Sequence, residues 1–230
     1  MNLRAGDWIE QSSVGSDVMA RWPDYSVVLL AADDVDVRAL DDRASTLMAE
    51  AHAVARAISA DQPDPHVARW HAAYLDFGVK PRVARPSVDA LLRRARSDDG
   101  LPSINTLVDV YNAISILHRV PIGGEDLERY SGAARLVLAT GDEAFHTAAH
   151  GEHVIEHPEP GEPVWVDDLG VTCRRWNWRQ TSRTAIGPET RRVAFIIDSL
   201  EPTAHLGARG AAEQLTDLIP NLQSRTIPSH

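Results

Sequence analysis

The spacing of apolar residues changes along this chain, and that change limits the fold more than any single motif. Through the first half they recur at helical intervals: Leu47, Ala51, Val54, Ala55 and Ile58 within residues 40–60, then Trp70, Tyr74 and Phe77, then the apolar stretch 107–117. Through the second half they fall in short runs of strand length, at 134–139, 163–167, 171–179 and 192–198, with turn residues at 141–143, 158–161 and 168–170 between them. One apolar run of strand length, 26–32, precedes the helices, and one amphipathic stretch, 203–218, follows the strands. Helices first and strands later predict an α+β (mixed α/β) fold with a mixed sheet flanked by helices. The expected organisation is an N-terminal strand and helices over 1–67, packed onto a core domain over 68–202, with a C-terminal helix and tail over 203–230.

Local signals place the boundaries. Pro23 and the Asp33-Asp34 pair bracket the first strand, and the breaker 61–65 ends the first helix. Asp64 is placed to cap the second helix with Pro65 at its first position, and Ser87 to cap a third. The Trp70, Tyr74 and Phe77 stripe is read as core. Residues 121–124, Pro-Ile-Gly-Gly, read as a turn, and the chain beyond Pro220 as a frayed tail. No repeat, heptad pattern or low-complexity tract is found.

Composition narrows the function. At 230 residues, with 43% hydrophobic and 24% charged residues, the chain can bury a real core. A net charge of -10 argues against sequence-independent adhesion to DNA or to an anionic membrane, so any contact with RNA must be local. The single Cys173 excludes an internal disulfide framework or a multi-cysteine zinc site. No signal peptide and no spanning segment are read in the sequence, so a cytoplasmic protein is expected. No glycine-rich phosphate loop or serine elbow is found, and no cofactor is expected.

The densest chemistry lies between Cys173 and Gln180, where Arg174, Arg175, Trp176, Asn177, Trp178 and Arg179 stand side by side. As a continuous strand this segment would put Cys173, Arg175, Asn177 and Arg179 on one face and Arg174, Trp176, Trp178 and Gln180 on the other. Guanidinium forks, indole planes and amides suit a polar ligand with a planar part. The same residues would equally suit a structural strand, with the arginines paired to acids and the tryptophans filling core. Lys80, Arg82, Arg85, Arg93, Arg94 and Arg96 form a basic patch that can be a local surface for an RNA backbone or a solvated face paired with acids. Asp109 and Asn112 share a helix face in apolar surroundings and must be satisfied by protein partners or by a ligand. His146, His150, His153 and His157 would align on a helix, but Gly151 and Pro158 interrupt the segment, and no metal is expected there. Cys173 reads as a small buried hydrophobe rather than a nucleophile.

Several of these motifs resemble a known module. Residues 105–112, then Leu117 and 121–126, resemble the helix and proline turn of the bacterial phenylalanyl-tRNA synthetase beta subunit. The run near Lys80, the Leu91-Leu92-Arg93-Arg94 helix, Gly141-Asp142-Glu143 with Phe145, and Arg175 to Gln180 resemble the stand-alone form of its B-three/B-four tRNA-binding domain, over roughly residues 68–202. The family's histidine in the proline turn falls on Gly123 and its threonine before asparagine on Tyr111. Its small pocket residues fall near Arg175, Trp176 and Asn177.

The resemblance implies a trans-acting deacylase that hydrolyses the ester of a misacylated aminoacyl-tRNA. The alternative is a binder of an amino acid or aminoacyl end that kept the pocket and lost the chemistry. Ester hydrolysis needs an oriented water and donors for the oxyanion. Glu143, Asn112 and Asn177 are the catalytic candidates. Arg175, Trp176, Trp178, Arg179, Tyr111 and Asp168 are the substrate-binding candidates, with Asp168 a second candidate for orienting water. Lys80, Arg82, Arg85, Arg93 and Arg94 are the candidates for the tRNA backbone. The expected partners are a tRNA or aminoacyl-tRNA end and an amino-acid-like small molecule.

Overall fold

The computed structural model describes residues 3–58, 64–149, 151–201 and 206–227. The elements run α1 (Ala5–Gln11), β1 (Ser13–Val14), α2 (Ser16–Arg21), β2 (Ser26–Ala32), α3 (Asp41–Ala57), α4 (Pro65–Asp76), α5 (Ser87–Arg96), α6 (Thr106–His118) and β3 (Ile122–Asp126). They continue with β4 (Arg135–Leu138), β5 (Phe145–Ala149), β6 (Glu152–Glu156), β7 (Pro163–Asp167), β8 (Gly170–Arg174), β9 (Arg179–Gln180), β10 (Val193–Ser199), α7 (Leu206–Leu218) and β11 (Gln223–Ile227).

The mixed α/β class is as expected. One sheet has the order β1-β4-β7-β8-β9, a second β11-β2-β10-β3, and β5 and β6 form a separate hairpin. β1 and β4 run parallel, and the other pairs are antiparallel. The second sheet takes β2 from the first expected segment, β3 and β10 from the second and β11 from the third. β2 and β10 are buried along their whole length, which is why both read as unbroken apolar runs rather than as alternation.

Several boundary expectations hold. Asp64 caps α4, its side chain accepting from His66 N, with Pro65 at the first helical position. Trp70 and Tyr74 are buried, as the core reading required. α6 is capped by Asn105, whose Oδ1 accepts from Val108 N, and it is buried almost all round because it lies among α3, α5, α7 and β3.

Others are corrected. Ser87 does not cap α5: Pro86 holds the cap position and Ser87 is the first helical residue. Residues 122–126 form a strand rather than a turn. Gly123 pairs with Ile196 and Gly124 with Phe195, and glycine is needed at 124 because a Cβ there would lie 2.5 Å from the Tyr111 ring. The tail after Pro220 forms β11, from Gln223 opposite Ala31 to Ile227 opposite Val27. β11 is a largely exposed edge strand, so it carries no apolar alternation for the sequence to reveal. Thr203, the expected start of the last helix, lies outside the described residues. No helix among the described residues is long and apolar enough to cross a membrane.

Strand alternation assigns the two faces of the second sheet. Phe195 packs edge-on against Tyr111 of α6, and Val28 shares a groove with Arg209, Ala212 and Thr216 of α7, so α6 and α7 cover that face. Gly123, Glu125, Ile196 and Asp198 point the opposite way, toward the first sheet.

Candidate functional site

Residues 171–180 are not one strand. β8 ends at Arg174, residues 175–178 turn, and β9 returns, pairing Cys173 with Gln180 and Arg174 with Arg179. The even loop reverses the expected facing: paired residues share a face, so Cys173 and Gln180 point one way and Arg174 and Arg179 the other.

Arg175 and Trp176 adopt positive φ, 49° and 68°, a conformation costing about 1–2 kcal/mol per residue for a non-glycine side chain. Packing and hydrogen bonds hold the loop in that state. Trp176 is completely buried, with its ring 4.6 Å from that of Trp22, 4.8 Å from Tyr25 and 5.2 Å from Trp70. Its amide donates to Pro163 O at 2.7 Å, the Arg175 amide donates to Glu162 Oε1 at 3.1 Å, and Tyr74 Oη donates to Arg175 O at 2.7 Å.

The arginines face away from the cavity described below. Arg174 makes a bidentate bond to Glu162, at 2.9 and 2.8 Å, and reaches Glu156 at 3.1 Å. Arg175 Nε lies 3.5 Å from Glu162, and Arg179 pairs with Glu156. Between them the Trp178 ring is stacked, 4.3 Å from the Arg175 guanidinium and 4.7 Å from that of Arg179.

Between the two sheets lies a cavity of about 240 Å³. Its floor carries the face of β3 and β10 defined above, with Gly123, Glu125, Ile196 and Asp198. Trp165, Cys173, Trp176, Asn177, Trp178 and Gln180 form the wall from the first sheet and its loop. Ser87, Ala90 and Leu91 of α5 and Tyr111 and Asn112 of α6 complete it. The Ser87 amide donates to Asn177 O at 3.1 Å, tying the start of α5 to the loop.

Two carboxyl groups are sealed in that floor. Glu125 is 1% exposed, and burial raises its pKa to about 7 against the pull of the neighbouring Thr184 and Thr172 hydroxyls. Beyond that pull, its Oε2 makes no well-formed hydrogen bond among the described residues. Asp198 is likewise raised to about 7 by burial, although it accepts from Tyr25 Oη at 2.6 Å and Asn177 Nδ2 at 3.4 Å. Asn177 in turn accepts from Tyr74 Oη at 3.1 Å, so Tyr25, Asp198, Asn177 and Tyr74 form one buried chain that fixes the loop. Around the cavity several polar groups remain unspent. Ser87 Oγ is buried without a partner, and the Asn112 amide and Tyr111 hydroxyl make no hydrogen bond among the described residues.

The sequence candidates therefore separate. Asn112, Asn177, Tyr111, Trp176 and Trp178 line the cavity, whereas Arg175 and Arg179 stand behind its wall. Glu143 lies on another loop, accepting from Thr140 N, Thr140 Oγ1 and Gly141 N. Slight burial would raise its pKa, but these donors hold it below the ordinary carboxylate value. Asp168 sits at the far end of β8, paired with Arg135 at 2.9 Å.

In the basic patch, Arg85 and Arg93 are spent on Asp89, at 3.1 and 3.0 Å, where His71 also bonds. Burial opposes it, yet His71, Arg93 and Arg85 together bring Asp89 down to about 2. Arg94 and Arg96 bond to Gly100 O and Ala55 O, and Lys80 and Arg82 make no ion pair among the described residues. Asp109 serves structure, accepting from Ser103 Oγ at 2.5 Å and Ile104 N at 2.9 Å. His146 and His153 meet across the β5–β6 hairpin at 3.1 Å rather than along a helix, and His150 lies outside the described residues. No group of three or more potential metal ligands occurs among the described residues.

Glu125 and Asp198 were not singled out from sequence. For Glu125 a signal existed, since an acid beside two glycines within a segment otherwise fit for a strand needs a reason to be there. For Asp198, the apolar run of β10 gives none.

A family model described as B3/4 domain matches residues 69–217. Among solved structures, similarity is found to an N-terminal fragment of the phenylalanyl-tRNA synthetase beta-subunit from Pyrococcus horikoshii. It has 11% sequence identity and a TM-score of 0.46, over 94% of this chain and 50% of that one. This chain thus spans about half the length of that fragment. No curated protein sequence matches.

Proposed function

The chain belongs to the B3/4 domain family, and from that premise we propose that its cavity receives the aminoacyl end of an aminoacyl-tRNA and hydrolyses the ester. The observation that carries the proposal is Glu125, a buried carboxyl at the cavity floor with an unpartnered oxygen and a pKa of about 7. Leaving such a group unsatisfied costs about 1–3 kcal/mol or more, a cost that a ligand or water can offset. A general base is most effective when its pKa lies near the working pH.

Size is consistent with one amino-acid moiety. At about 240 Å³ the space lies below the roughly 300–1,000 Å³ typical of sites for drug-sized ligands. The terminal nucleotide would then lie outside. In this reading Glu125 takes a proton from a water as its oxygen adds to the ester carbon. The Asn112 amide and Ser87 hydroxyl donate to the carbonyl oxygen as it gains charge. The bond to the ribose oxygen then breaks, and that oxygen receives the proton. Asn177 acts through Asp198 and Tyr74 as a positioning residue. Lys80 and Arg82 supply the local positive surface for the tRNA backbone.

The test is a panel of aminoacyl-tRNAs with the wild type, Glu125→Gln, Asn112→Ala and, as a control outside the cavity, Glu143→Gln. At least one ester should be cleaved by the wild type. Glu125→Gln should slow that cleavage by about 10²–10⁴-fold, with Glu143→Gln unchanged. An inert wild type, or full activity in Glu125→Gln, would refute it. The second reading, a binder without chemistry, draws on the fact that, among the described residues, no guanidinium lines the cavity to stabilise an oxyanion. It expects an aminoacyl end to bind and remain intact.

A further inference from the structure

We infer that the cavity takes an amino acid only when its carboxylate is masked as an ester or amide, and excludes the free amino acid. This rests on the reading that the cavity is the aminoacyl site. Among the described residues its lining includes Glu125 and Asp198 and no lysine, arginine or histidine.

Three cations that sequence density would assign to the ligand, Arg174, Arg175 and Arg179, are turned to the other side of the wall and committed to Glu156 and Glu162. Arg183 is another guanidinium whose charge is felt at Glu125, and it is held in a bidentate bond to Asp167, at 2.8 and 2.7 Å. A free α-carboxylate entering here would meet two acidic groups and only neutral donors, the Asn112 amide and the Ser87 and Tyr111 hydroxyls. Like charges brought together without water or a counter-charge repel strongly. An α-ammonium group meets the opposite situation, since the acidic floor favours a cation.

An aminoacyl ester carries the ammonium and no carboxylate, so it fits. The free amino acid carries both, and the favourable contact cannot be made without the unfavourable one beside it. Two consequences follow. Abundant free amino acids do not occupy the site, and hydrolysis itself turns a ligand into a repelled product, because cleavage of the ester leaves a carboxylate facing Glu125 and Asp198.

Calorimetric titration at about pH 7 with small probes tests this without tRNA. The probes are L-leucinamide, L-phenylalaninamide and L-tyrosinamide, the three free amino acids, and the N-acetylated amides, which lack the ammonium. At least one amide should bind ~30-fold or more tightly than its free acid and its N-acetyl form. Glu125→Gln should shrink both ratios, and Gly123→Leu should abolish binding by filling the cavity. If free acids bind as tightly as amides, the inference is wrong although the cavity remains an amino-acid site. If no probe binds, or Gly123→Leu changes nothing, both the inference and the cavity reading fall. Amides that bind selectively to a protein that cleaves no aminoacyl-tRNA would uphold the inference and refute the deacylase.

Discussion

Glu125→Gln is expected to stabilise the protein at alkaline pH while removing the deacylation proposed for it. In the unfolded chain this carboxyl loses its proton near 4.5, and in the folded protein near 7, because burial disfavours the charge. Between those values the folded state binds more protons than the unfolded one, so the contribution of Glu125 to stability falls as pH rises and is level above about 7. At roughly 1.4 kcal/mol per pH unit of difference, the loss is about 3 kcal/mol. Glutamine keeps the shape without the charge. The advantage of the variant over the wild type should therefore grow from near zero at about pH 4 to about 3 kcal/mol at about pH 8. Urea unfolding of both proteins across that range measures it, and the comparison isolates Glu125 because Asp198, which shifts in the same direction, is present in both. A difference independent of pH would refute the reasoning, as would a variant that is less stable at alkaline pH. Working sites often keep residues at a cost to stability, so if Glu125 is the base, the gain in stability and the loss of the proposed deacylation appear in the same variant.

Trp176→Ala removes an indole packed against three aromatic rings and should cost about 3–5 kcal/mol in urea unfolding; a smaller loss would mean that the loop is held by its hydrogen bonds. Gly123→Leu should change stability by less than about 1 kcal/mol, since a Cβ at 123 meets no atom within 4 Å, while binding of any cavity ligand is lost; unfolding of the variant would show that the space is not open. Replacing Lys80 and Arg82 together by alanine should lower the salt slope of tRNA binding by about 1.4–1.8, if both neutralise phosphates. An unchanged slope would move the RNA contact elsewhere.

The elements were legible where burial is periodic or continuous. β2 and the cap of α4 follow from apolar run, Asp64 and Pro65 alone. β3 was hidden because its two glycines carry the signature of a turn, whereas here one clears the Tyr111 ring and the other opens the cavity floor. β11 was hidden because it is polar, exposed and fixed by pairing with a strand nearly two hundred residues earlier in the chain. The cavity was legible in part. Asn112, Asn177, Trp176 and Trp178 could be named because amides and indoles in apolar company call for partners, and Tyr111 because a threonine of the resembled family falls on it. Glu125 and Asp198 owe their character to being buried opposite another sheet, and burial across sheets leaves no pattern along the chain.

The loop at 175–178 shows how a dense motif can lie at a cavity wall with its charges turned away from it. Three arginines in six residues suggested a cationic site for phosphate or carboxylate, but the four-residue loop turns Arg174 and Arg179 to the outer face, where Glu156 and Glu162 neutralise them. Facing inward instead are Cys173, Gln180 and Asn177, which carry no charge, so among the described residues the carboxyl groups lining the cavity are the two on β3 and β10. The strain at Arg175 and Trp176 is part of the same arrangement. A relaxed loop with residues in the extended region would continue the strand alternation and bring Arg175 and Arg179 onto the face of Cys173. That would place guanidinium groups beside Glu125 and Asp198, lower the pKa of both carboxyls and leave Glu125 a weaker base. The bent loop, held by Trp176 in its aromatic bed, is thus what keeps guanidinium groups out of the cavity and leaves its acidic floor open to a ligand carrying a positive charge.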